Sequence, residues 1–200
     1  MDEKIRVAVF ASGNGTNAQN IAEYFKDNPR VEICRIYSDK PNARVLERAS
    51  SLGIATFVFS RKELSDSDIV LKKLEEDKAS FIVLAGFLLK IPDNILEAFP
   101  GKIVNIHPAL LPKYGGKGMY GMHVHRAVKA SGDDRSGITI HFVNSNYDEG
   151  NIIFQAWVPV EENDSPEDIA QKVHRLEYRH FPKVIEELLF TAETDQNKQR

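Results

Sequence analysis

Residues 5–25, IRVAVFASGNGTNAQNIAEYF, are the stretch that decides the fold. Residues 5–11 form a short run rich in β-branched side chains, which predicts a strand. Ile21, Tyr24 and Phe25 then recur at helical spacing, so a helix is predicted to follow the strand after one loop. A strand, a tight loop and a helix in this order are the first unit of an α/β fold.

The loop between this strand and helix has the residues of a phosphate site. Gly13 and Gly15 permit a tight turn and close approach of the backbone, and Thr16 or Asn17 is positioned to cap the helix. Free backbone N–H groups at a helix N terminus attract anions. Together with Asn14, these small residues predict that one phosphate group binds here.

Two other interpretations of this loop remain open. The spacing Gly13-x-Gly15-x-x-Ala18 also satisfies the dinucleotide-binding fingerprint, in which Asp39 would contact a ribose. Alternatively, the glycines serve only to pack the helix against the sheet.

The chain continues with alternating strands and helices, which predicts a parallel sheet. Residues 81–85, FIVLA, form the most apolar run, so they are predicted to be a central strand. Gly86 follows at the carboxyl edge of the sheet, where ligands of such sheets bind. The other predicted elements of this part are strands at residues 31–37 and 55–59 and helices at 43–51 and 60–79.

Asn105 and His107 end the next predicted strand, because Pro108 prevents it from continuing. Residues two apart on a strand share a face, so the amide and the imidazole are expected to lie together. Pro108 and Pro112 stiffen the chain after the strand, which favours fixed positions for both side chains. The alternative is that Asn105 caps a turn and His107 is a core histidine.

A glycine flap and a pair of strands follow. Four glycines between residues 115 and 121 predict a mobile segment that can close over a site. Residues 136–143 and 152–160 predict two antiparallel strands, and Asp148 lies in the loop that joins them.

The last predicted element is a helix that begins near Ser165 and carries one apolar stripe to Leu188. Residues 191–200 are predicted to be a polar tail. The expected organisation is therefore a single domain at residues 1–190 followed by this tail.

The composition argues against several classes of function. The 26 basic and 29 acidic residues nearly balance and form no block of five like charges, so neither nucleic acid nor a membrane surface is an expected partner. The single cysteine, Cys34, cannot form an internal disulfide, which fits a reducing compartment such as the cytoplasm. No cysteine or histidine spacing typical of a metal site is present, so no metal is expected.

Asn105, His107 and Asp148 are the residues that suggest chemistry, and together they suit acyl transfer. An imidazole and an amide can stabilise the oxyanion of a tetrahedral intermediate. A carboxylate beside the imidazole can favour its charged form or move a proton.

Four motifs, in this order, resemble those of the phosphoribosylglycinamide formyltransferases, a family of folate-dependent enzymes of purine synthesis: ASGNGTN, VLAGF, NIHPALLP and GITIHFVNSNYDEG. The resemblance extends from about residue 7 to residue 189. It implies a Rossmann-like, three-layer α/β/α fold whose mostly parallel sheet ends in an antiparallel C-terminal strand pair. It also implies transfer of a formyl group from the co-substrate 10-formyltetrahydrofolate to the amine of glycinamide ribonucleotide, without metal or ATP.

The resemblance also assigns roles to individual residues. It implies that Asn105, His107 and Asp148 are catalytic. The residues implied to bind the ribonucleotide are Gly13, Asn14, Gly15, Thr16, Asn17, Gly86, Pro108 and Glu177, the last of which contacts the ribose. The residues implied to bind the folate are Arg61, Phe87, Leu88, Leu89, Lys90, Ile91, Asn105, Asn144 and Asp148.

Two positions depart from the family's pattern. Leu89 stands where many relatives have Arg, and Ser145 stands where an acid is usual. Because the resemblance implies that backbone groups bind most of the pterin there, these changes concern folate affinity more than activity. The flap at residues 115–121 is also longer than in some relatives, and the sequence does not decide between a monomer and a homodimer.

Three other functions share parts of this pattern. A hydrolase of 10-formyltetrahydrofolate uses the same Asn, His and Asp set, but its relatives carry an N-terminal regulatory domain that is not expected here. Enzymes that formylate an aminoacyl-tRNA add a basic C-terminal domain, whereas this chain has a net charge of −3. A non-catalytic nucleotide- or NAD-binding module would explain the first loop but would leave Asn105, His107 and Asp148 without a role.

Overall fold

The computed structural model describes residues 4–197, with side chains described to Thr191. The strands are β1 (Ile5–Phe10), β2 (Val31–Ser38), β3 (Thr56–Val58), β4 (Phe81–Leu84), β5 (Ile103–His107), β6 (Arg135–Phe142) and β7 (Ile152–Pro159). The helices are α1 (Thr16–Phe25), α2 (Arg44–Ser51), α3 (Arg61–Ser65), α4 (Ile69–Glu76), α5 (Asp93–Ala98), α6 (Met122–Ser131) and α7 (Pro166–Asn197).

The strands form one sheet in the order β3-β2-β1-β4-β5-β6-β7. β1 to β5 pair in parallel, and β6 is antiparallel to both β5 and β7. The predicted central strand, β4, stands in the middle of the sheet. The prediction of a mostly parallel sheet with an antiparallel C-terminal pair is therefore confirmed.

Helices cover both faces of the sheet, so the three-layer prediction is also confirmed. One core lies under α1, α2, α6 and α7, and its buried side chains include Ile21, Val45, Val128 and Phe181. The other core lies under α3, α4 and α5 and includes Leu64, Leu74 and Ile95. Both cores are needed because a parallel sheet buries its two faces.

The prediction of one helix at residues 60–79 is wrong, because the chain forms α3 and α4 there. The hydroxyl of Ser67 donates to the backbone oxygen of Glu63 at 2.8 Å and accepts from the N–H of Ile69 at 3.4 Å. Short polar side chains compete in this way for backbone groups that a helix would otherwise pair. The polar run at residues 65–68 therefore interrupts the apolar stripe that suggested a single helix.

α7 begins at Pro166, as the pattern predicted, and continues through Pro182. Proline has no N–H, so the backbone oxygen of Tyr178 loses its helical partner. That oxygen accepts a hydrogen bond from Asn20 Nδ2 of α1 at 3.0 Å instead. The bond attaches α7 to the helix that follows the first loop.

The C-terminal boundary of the domain stays a prediction. α7 continues to Asn197, into the segment predicted as a polar tail, and residues 1–3 and 198–200 lie outside the described part of the chain. No helix between residues 4 and 197 is both long and apolar enough to cross a membrane.

Candidate active site

β5 brings Asn105 and His107 to one edge of the sheet. In the pairing of β5 with β6, Asn105 lies opposite His141 and His107 lies opposite Thr139. Ile106, which points to the other face, is packed in the core. The prediction that the amide and the imidazole share a face is confirmed, and two polar residues of β6 lie beside them.

The segment after His107 is held by Thr139 and Gln155 as well as by its prolines. The buried Thr139 hydroxyl donates to the backbone oxygen of Ala109 at 2.7 Å and accepts from the N–H of Leu111 at 3.0 Å. Gln155 Nε2 donates to the Leu111 oxygen at 3.0 Å and to Thr139 Oγ1 at 2.9 Å. These bonds fix the direction in which the chain leaves β5.

Asp148 joins the pair from the loop between β6 and β7. Its Oδ2 lies 3.5 Å from His107 Nδ1 and accepts from the N–H of Gly116 at 2.9 Å. Its Oδ1 lies 3.5 Å from Asn105 Nδ2 and 3.6 Å from His141 Nε2. The three residues predicted to be catalytic therefore form one cluster, in which the Asp148 side chain is 12% exposed.

His141 orients Asn105, and sequence reasoning missed it. His141 Nδ1 lies 2.8 Å from the carbonyl oxygen of Phe142, which can only accept, so this nitrogen carries the hydrogen. The other ring nitrogen, Nε2, lies 3.1 Å from Asn105 Nδ2. The alternating pattern of β6 places His141 on the same face as Thr139, and this signal could have identified both residues.

Both ring nitrogens of His107 face an oxygen acceptor. Nε2 lies 2.7 Å from the carbonyl oxygen of Tyr114, and Nδ1 faces Asp148. Burial is the largest influence and lowers the pKa of His107, against the opposing effects of the Asp148 charge and the Tyr114 carbonyl. The ring is therefore mainly neutral at neutral pH, yet a proton that reaches it is stabilised by a carboxylate.

Asp148 itself is ionised at neutral pH. Burial, the largest influence, would raise the pKa of this carboxyl. The His141 ring, the His107 ring and the N–H of Gly116 outweigh burial and hold the pKa of Asp148 below its ordinary value. The cluster thus pairs a neutral imidazole with a carboxylate, an arrangement suited to accepting a proton.

The glycine flap, residues 115–121, begins beside these side chains. Tyr114, just before it, offers its carbonyl oxygen to His107, and Gly116 offers its N–H to Asp148. Both residues have positive φ angles, 57° and 93°. The start of the flap therefore contacts both His107 and Asp148, which its glycine content did not reveal, and its mobility stays a prediction.

The first loop opens α1 without a side-chain cap. Gly15 is the N-cap residue, with φ 73°, so the prediction that Thr16 or Asn17 caps the helix is wrong. The left-handed conformation at Gly15 suits glycine, and the Asn17 amide donates instead to Glu177 Oε2 at 2.9 Å. Backbone N–H groups at this helix start are therefore free of side-chain caps and suit an anion.

The other residues predicted to bind the ribonucleotide lie at the same edge of the sheet. The N–H of Ser12 donates to the backbone oxygen of Gly86 at 3.0 Å, which joins the ends of β1 and β4. Arg48 of α2 donates to the backbone and side-chain oxygens of Asn14 at 2.8 and 3.0 Å. Pro108 directly follows β5. The first loop thus lies at the same edge of the sheet as Asn105 and His107 of β5.

Replacing Gly15 with alanine is expected to lower the free energy of unfolding by about 1–3 kcal/mol. A Cβ at this position would lie 2.4 Å from Val45 Cβ and 2.7 Å from its Cα, and the positive φ adds strain. Gly13→Ala is the matched control, because a Cβ there meets nothing within 4 Å. Urea unfolding of both variants measures the difference, and equal midpoints would contradict the close contact with Val45.

The segments predicted to bind the folate lie on either side of a cavity of about 390 Å³. Its lining comprises Lys90, Gly116, Lys117, Ser145, Asn146, Tyr147 and Glu149. Within the segment 87–91, Phe87 and Ile91 are buried in the core, whereas Leu88 and Lys90 are exposed. Lys90 and the loop that contains Asp148 therefore meet at one cavity, and their binding of the folate stays a prediction.

Three other residues predicted to bind the folate, Leu89, Asn144 and Arg61, are not among those that line this cavity. Leu89 is partly buried against the core beside α5, and Asn144 is exposed after β6. Arg61 is exposed at the first position of α3. Phe59, two residues earlier, has its ring centroid 6.1 Å from that of Phe87, so Arg61 lies on the side of the segment 87–91.

In the part of the chain that the structure describes, no three His, Cys, Asp or Glu side chains are grouped to hold a metal ion. The predicted absence of a metal stays a prediction.

The fold and the site together define a class of protein. It is an α/β protein with an imidazole, a carboxylate and an amide at the carboxyl edge of its sheet, next to a loop suited to phosphate. A family model described as formyl transferase matches residues 5–185. The chain belongs to this family.

Named relatives agree with the family match. The chain is 37% identical over 189 residues to phosphoribosylglycinamide formyltransferase of Bacillus subtilis (strain 168), covering 92% of this chain and 94% of that protein. It is 42% identical over 189 residues to the chloroplastic phosphoribosylglycinamide formyltransferase of Arabidopsis thaliana, covering 90% of this chain and 64% of that protein. This chain therefore spans a little under two thirds of the plant protein.

Solved structures show the same similarity. The crystal structure of glycinamide ribonucleotide transformylase 1 from Geobacillus kaustophilus superposes with a TM-score of 0.85 at 34% identity, covering 94% of this chain and all of that one. Phosphoribosylglycinamide formyltransferase from Streptococcus pneumoniae TIGR4 superposes with a TM-score of 0.81 at 36% identity, covering 94% of this chain and 99% of that one.

Proposed function

We propose that this protein transfers the formyl group of 10-formyltetrahydrofolate to the amine of glycinamide ribonucleotide, a step of purine biosynthesis. The observation that carries the proposal is the cluster in which Asp148 Oδ2 lies 3.5 Å from His107 Nδ1 and Asp148 Oδ1 lies 3.5 Å from Asn105 Nδ2. The family supports the choice of substrates, as does the Bacillus subtilis relative named for this activity, of which the chain covers 94%.

In the proposed reaction, the lone pair of the amine attacks the formyl carbon and a new C–N bond forms. The electrons of the C=O double bond move to oxygen, and the nitrogen loses one proton. A lone pair of that oxygen then re-forms the C=O double bond while the bond from the formyl carbon to the folate nitrogen breaks. The electron pair of the broken bond stays on the folate nitrogen, which takes up a proton. Formylglycinamide ribonucleotide and tetrahydrofolate result, with no net change in protons or electrons.

Each residue of the cluster suits one step of this reaction. His107, which is mainly neutral at rest, can accept the proton of the attacking amine, and Asp148 stabilises the imidazolium that forms. The Asn105 amide can donate to the oxyanion that develops on the formyl group. All three effects are larger in the transition state than in the ground state, which is what acceleration requires.

The two substrates are proposed to occupy opposite sides of the cluster. The first loop and Glu177 would bind the phosphate and ribose of the ribonucleotide. The cavity beside Lys90 and residues 145–149 would receive the folate. The proposed partners are these small molecules, with no nucleic acid and no membrane, and the proposed location is the cytoplasm.

An assay of the purified protein with and without the amine acceptor tests this function. We expect 10-formyltetrahydrofolate to be consumed only when glycinamide ribonucleotide is present, with the formyl group recovered in the ribonucleotide. Formate released without acceptor would support the hydrolase instead, and binding of NADH without turnover would support the nucleotide-binding module. EDTA is expected to leave the rate unchanged, and a loss restored by Mg²⁺ or Zn²⁺ would contradict metal-free transfer.

The flap at residues 115–121 is expected to become more resistant to protease when both substrates are bound. Its glycines lose much conformational entropy when fixed, so free protein should sample open forms that ligands reduce. Limited proteolysis with the ribonucleotide and a non-reactive folate analogue, alone and together, measures the change. The same cleavage rate in all four conditions would argue against a lid.

A further inference from the structure

Tyr114 connects the catalytic cluster to the turn at residues 132–134, which joins α6 to β6. Its carbonyl oxygen lies 2.7 Å from His107 Nε2. Its hydroxyl donates to Asp133 Oδ2 at 2.8 Å and lies 2.5 Å from the Oγ of Ser131, the last residue of α6. Lys113 Nζ donates to the same oxygen of Asp133 at 2.9 Å. Tyr114 thus contacts His107 with its backbone and the far turn with its side chain.

The hydroxyl bond matters because the backbone of Tyr114 is in an unfavourable conformation. Its φ is 57°, a left-handed value that a bulky side chain rarely adopts. The ring is only partly packed against the core, because Tyr114 also lines a cavity of about 280 Å³ with Leu110 and Val128. A strained residue with open space beside it needs a further contact to stay in place. The Asp133 carboxylate and the Ser131 hydroxyl supply that contact.

The Tyr114 carbonyl decides which nitrogen of His107 carries the ring hydrogen. A carbonyl oxygen can only accept, so His107 Nε2 is the donor of this bond. The neutral ring has one such hydrogen, and Nδ1 is then the nitrogen with a free lone pair. Nδ1 lies 3.5 Å from Asp148 Oδ2. The proton that His107 accepts in the proposed reaction therefore arrives at the nitrogen beside the carboxylate.

The groups that act on the charge of His107 come from several elements. They are Asp148, His141, Glu177, His125 and the carbonyl oxygen of Tyr114. Burial is the largest influence and lowers the pKa of His107, whereas the hydrogen bond to the Tyr114 carbonyl raises it. Loss of that bond would therefore lower the pKa of His107 further, with Asp148 still in place.

Asp148 competes with the Tyr114 carbonyl for the single ring hydrogen of neutral His107. Without the carbonyl, the carboxylate would be the stronger acceptor, and the hydrogen would move towards Nδ1. Nδ1 would then have no lone pair for the proton of the amine. Resting on the proposed function, we propose that Tyr114, held by its hydroxyl bond to Asp133, is a positioning residue that keeps the proton-accepting nitrogen of His107 free.

Tyr114→Phe tests this inference, because it keeps the ring and removes only the hydroxyl. We expect kcat to fall about tenfold with little change in the KM for the ribonucleotide, since the loss affects proton transfer rather than binding. The acid limb of kcat/KM, where His107 becomes protonated, should move to lower pH. Nitrogen-15 NMR of the protein without ligands, with the His107 signals assigned from His107→Gln, should show the ring hydrogen at Nε2 in wild type and shared with Nδ1 in the variant.

A second variant and two controls locate the effect. Asp133→Ala removes the acceptor of the hydroxyl and should give the same changes as Tyr114→Phe. Asp134→Ala removes the adjacent carboxylate, which is 86% exposed, and should match wild type in every measurement. Tyr24→Phe removes another hydroxyl that donates to a carboxylate, that of Glu186 at 2.6 Å, and should also match wild type.

The position of the ring hydrogen decides between a positioning role and a structural one. If Tyr114→Phe keeps the wild-type position of the hydrogen and the wild-type acid limb, the inference is wrong, even where the variant is less stable or less active. A hydrogen that moves in Tyr114→Phe, in a protein that transfers no formyl group, would contradict the proposed function and support the effect of Tyr114 on His107.

Discussion

Replacing Asp148 with asparagine is expected to lower kcat by about 10²-fold or more while changing the KM for the ribonucleotide little. The carboxylate lies 3.5 Å from His107 Nδ1. In the proposed reaction it stabilises the proton that the imidazole takes from the attacking amine. That charge pair exists only once the proton has moved. Its loss therefore weakens the transition state more than the bound substrate.

Asparagine is the appropriate substitution because the position is conformationally unusual. Asp148 has φ 55°, a left-handed conformation that asparagine also tolerates. The side-chain oxygen of asparagine can still accept the hydrogen bond from Gly116, which measures 2.9 Å in the structure. The variant thus removes the negative charge and keeps the conformation of the loop. A low kcat would therefore show that the charge contributes to the chemical step.

The titration of His107 gives a second measurement on the same variant. Asp148 raises the pKa of His107 against the larger lowering effect of burial, so removal of the charge should lower this pKa further. The acid limb of kcat/KM, where His107 becomes protonated and cannot accept a proton, should move to lower pH. Glu97→Gln removes an exposed carboxylate of α5, outside this cluster, and serves as the control, with kcat and titration unchanged. A folded Asp148→Asn protein with normal kcat and an unmoved titration would leave Asp148 as a turn residue only.

The sequence was sufficient for the main features of the fold because they depend on local patterns. Alternating strand and helix periods predict the parallel sheet, and the apolar run of β4 predicts its centre. The split between α3 and α4 was not predicted, because it depends on Ser67 bonding to the backbone rather than on the apolar period. The prediction of a side-chain cap for α1 was wrong for a similar reason. The N-cap residue is Gly15, whose left-handed backbone takes the place of a side-chain cap.

The candidate site was predictable only in part. That Asn105 and His107 share a face follows from the two-residue period of one strand. The contacts that His141 and Tyr114 make with them depend on how the rest of the chain folds against that strand. His141 reaches Asn105 through the register of β6 against β5, and Tyr114 reaches His107 through a carbonyl oxygen. Backbone groups have no sequence signature, so contacts of this kind appear only in the folded chain.

The largest loss of activity is expected for His107→Gln, with kcat lower by about 10³-fold, within the range for a lost acid–base group. The side-chain amide of glutamine can donate to the Tyr114 carbonyl oxygen, which lies 2.7 Å from His107 Nε2, so the start of the flap should stay in position. Glutamine cannot accept the amine proton at neutral pH. Steady-state kinetics with circular dichroism as a check on folding measures the effect, and a kcat within tenfold of wild type would exclude His107 as the proton acceptor.

Combining this change with Asp148→Asn tests whether the two residues act as one unit. If Asp148 acts by stabilising the His107 imidazolium, it has nothing to stabilise once glutamine is present. The double variant should then be nearly as active as His107→Gln alone, since residues that act together show strongly non-additive effects. Simple addition of the two losses, near 10⁵-fold by the estimates above, would mean that Asp148 acts on the substrate independently. The role of the carboxylate would then depend on its contacts with Asn105 and His141, which are its remaining side-chain neighbours in the cluster.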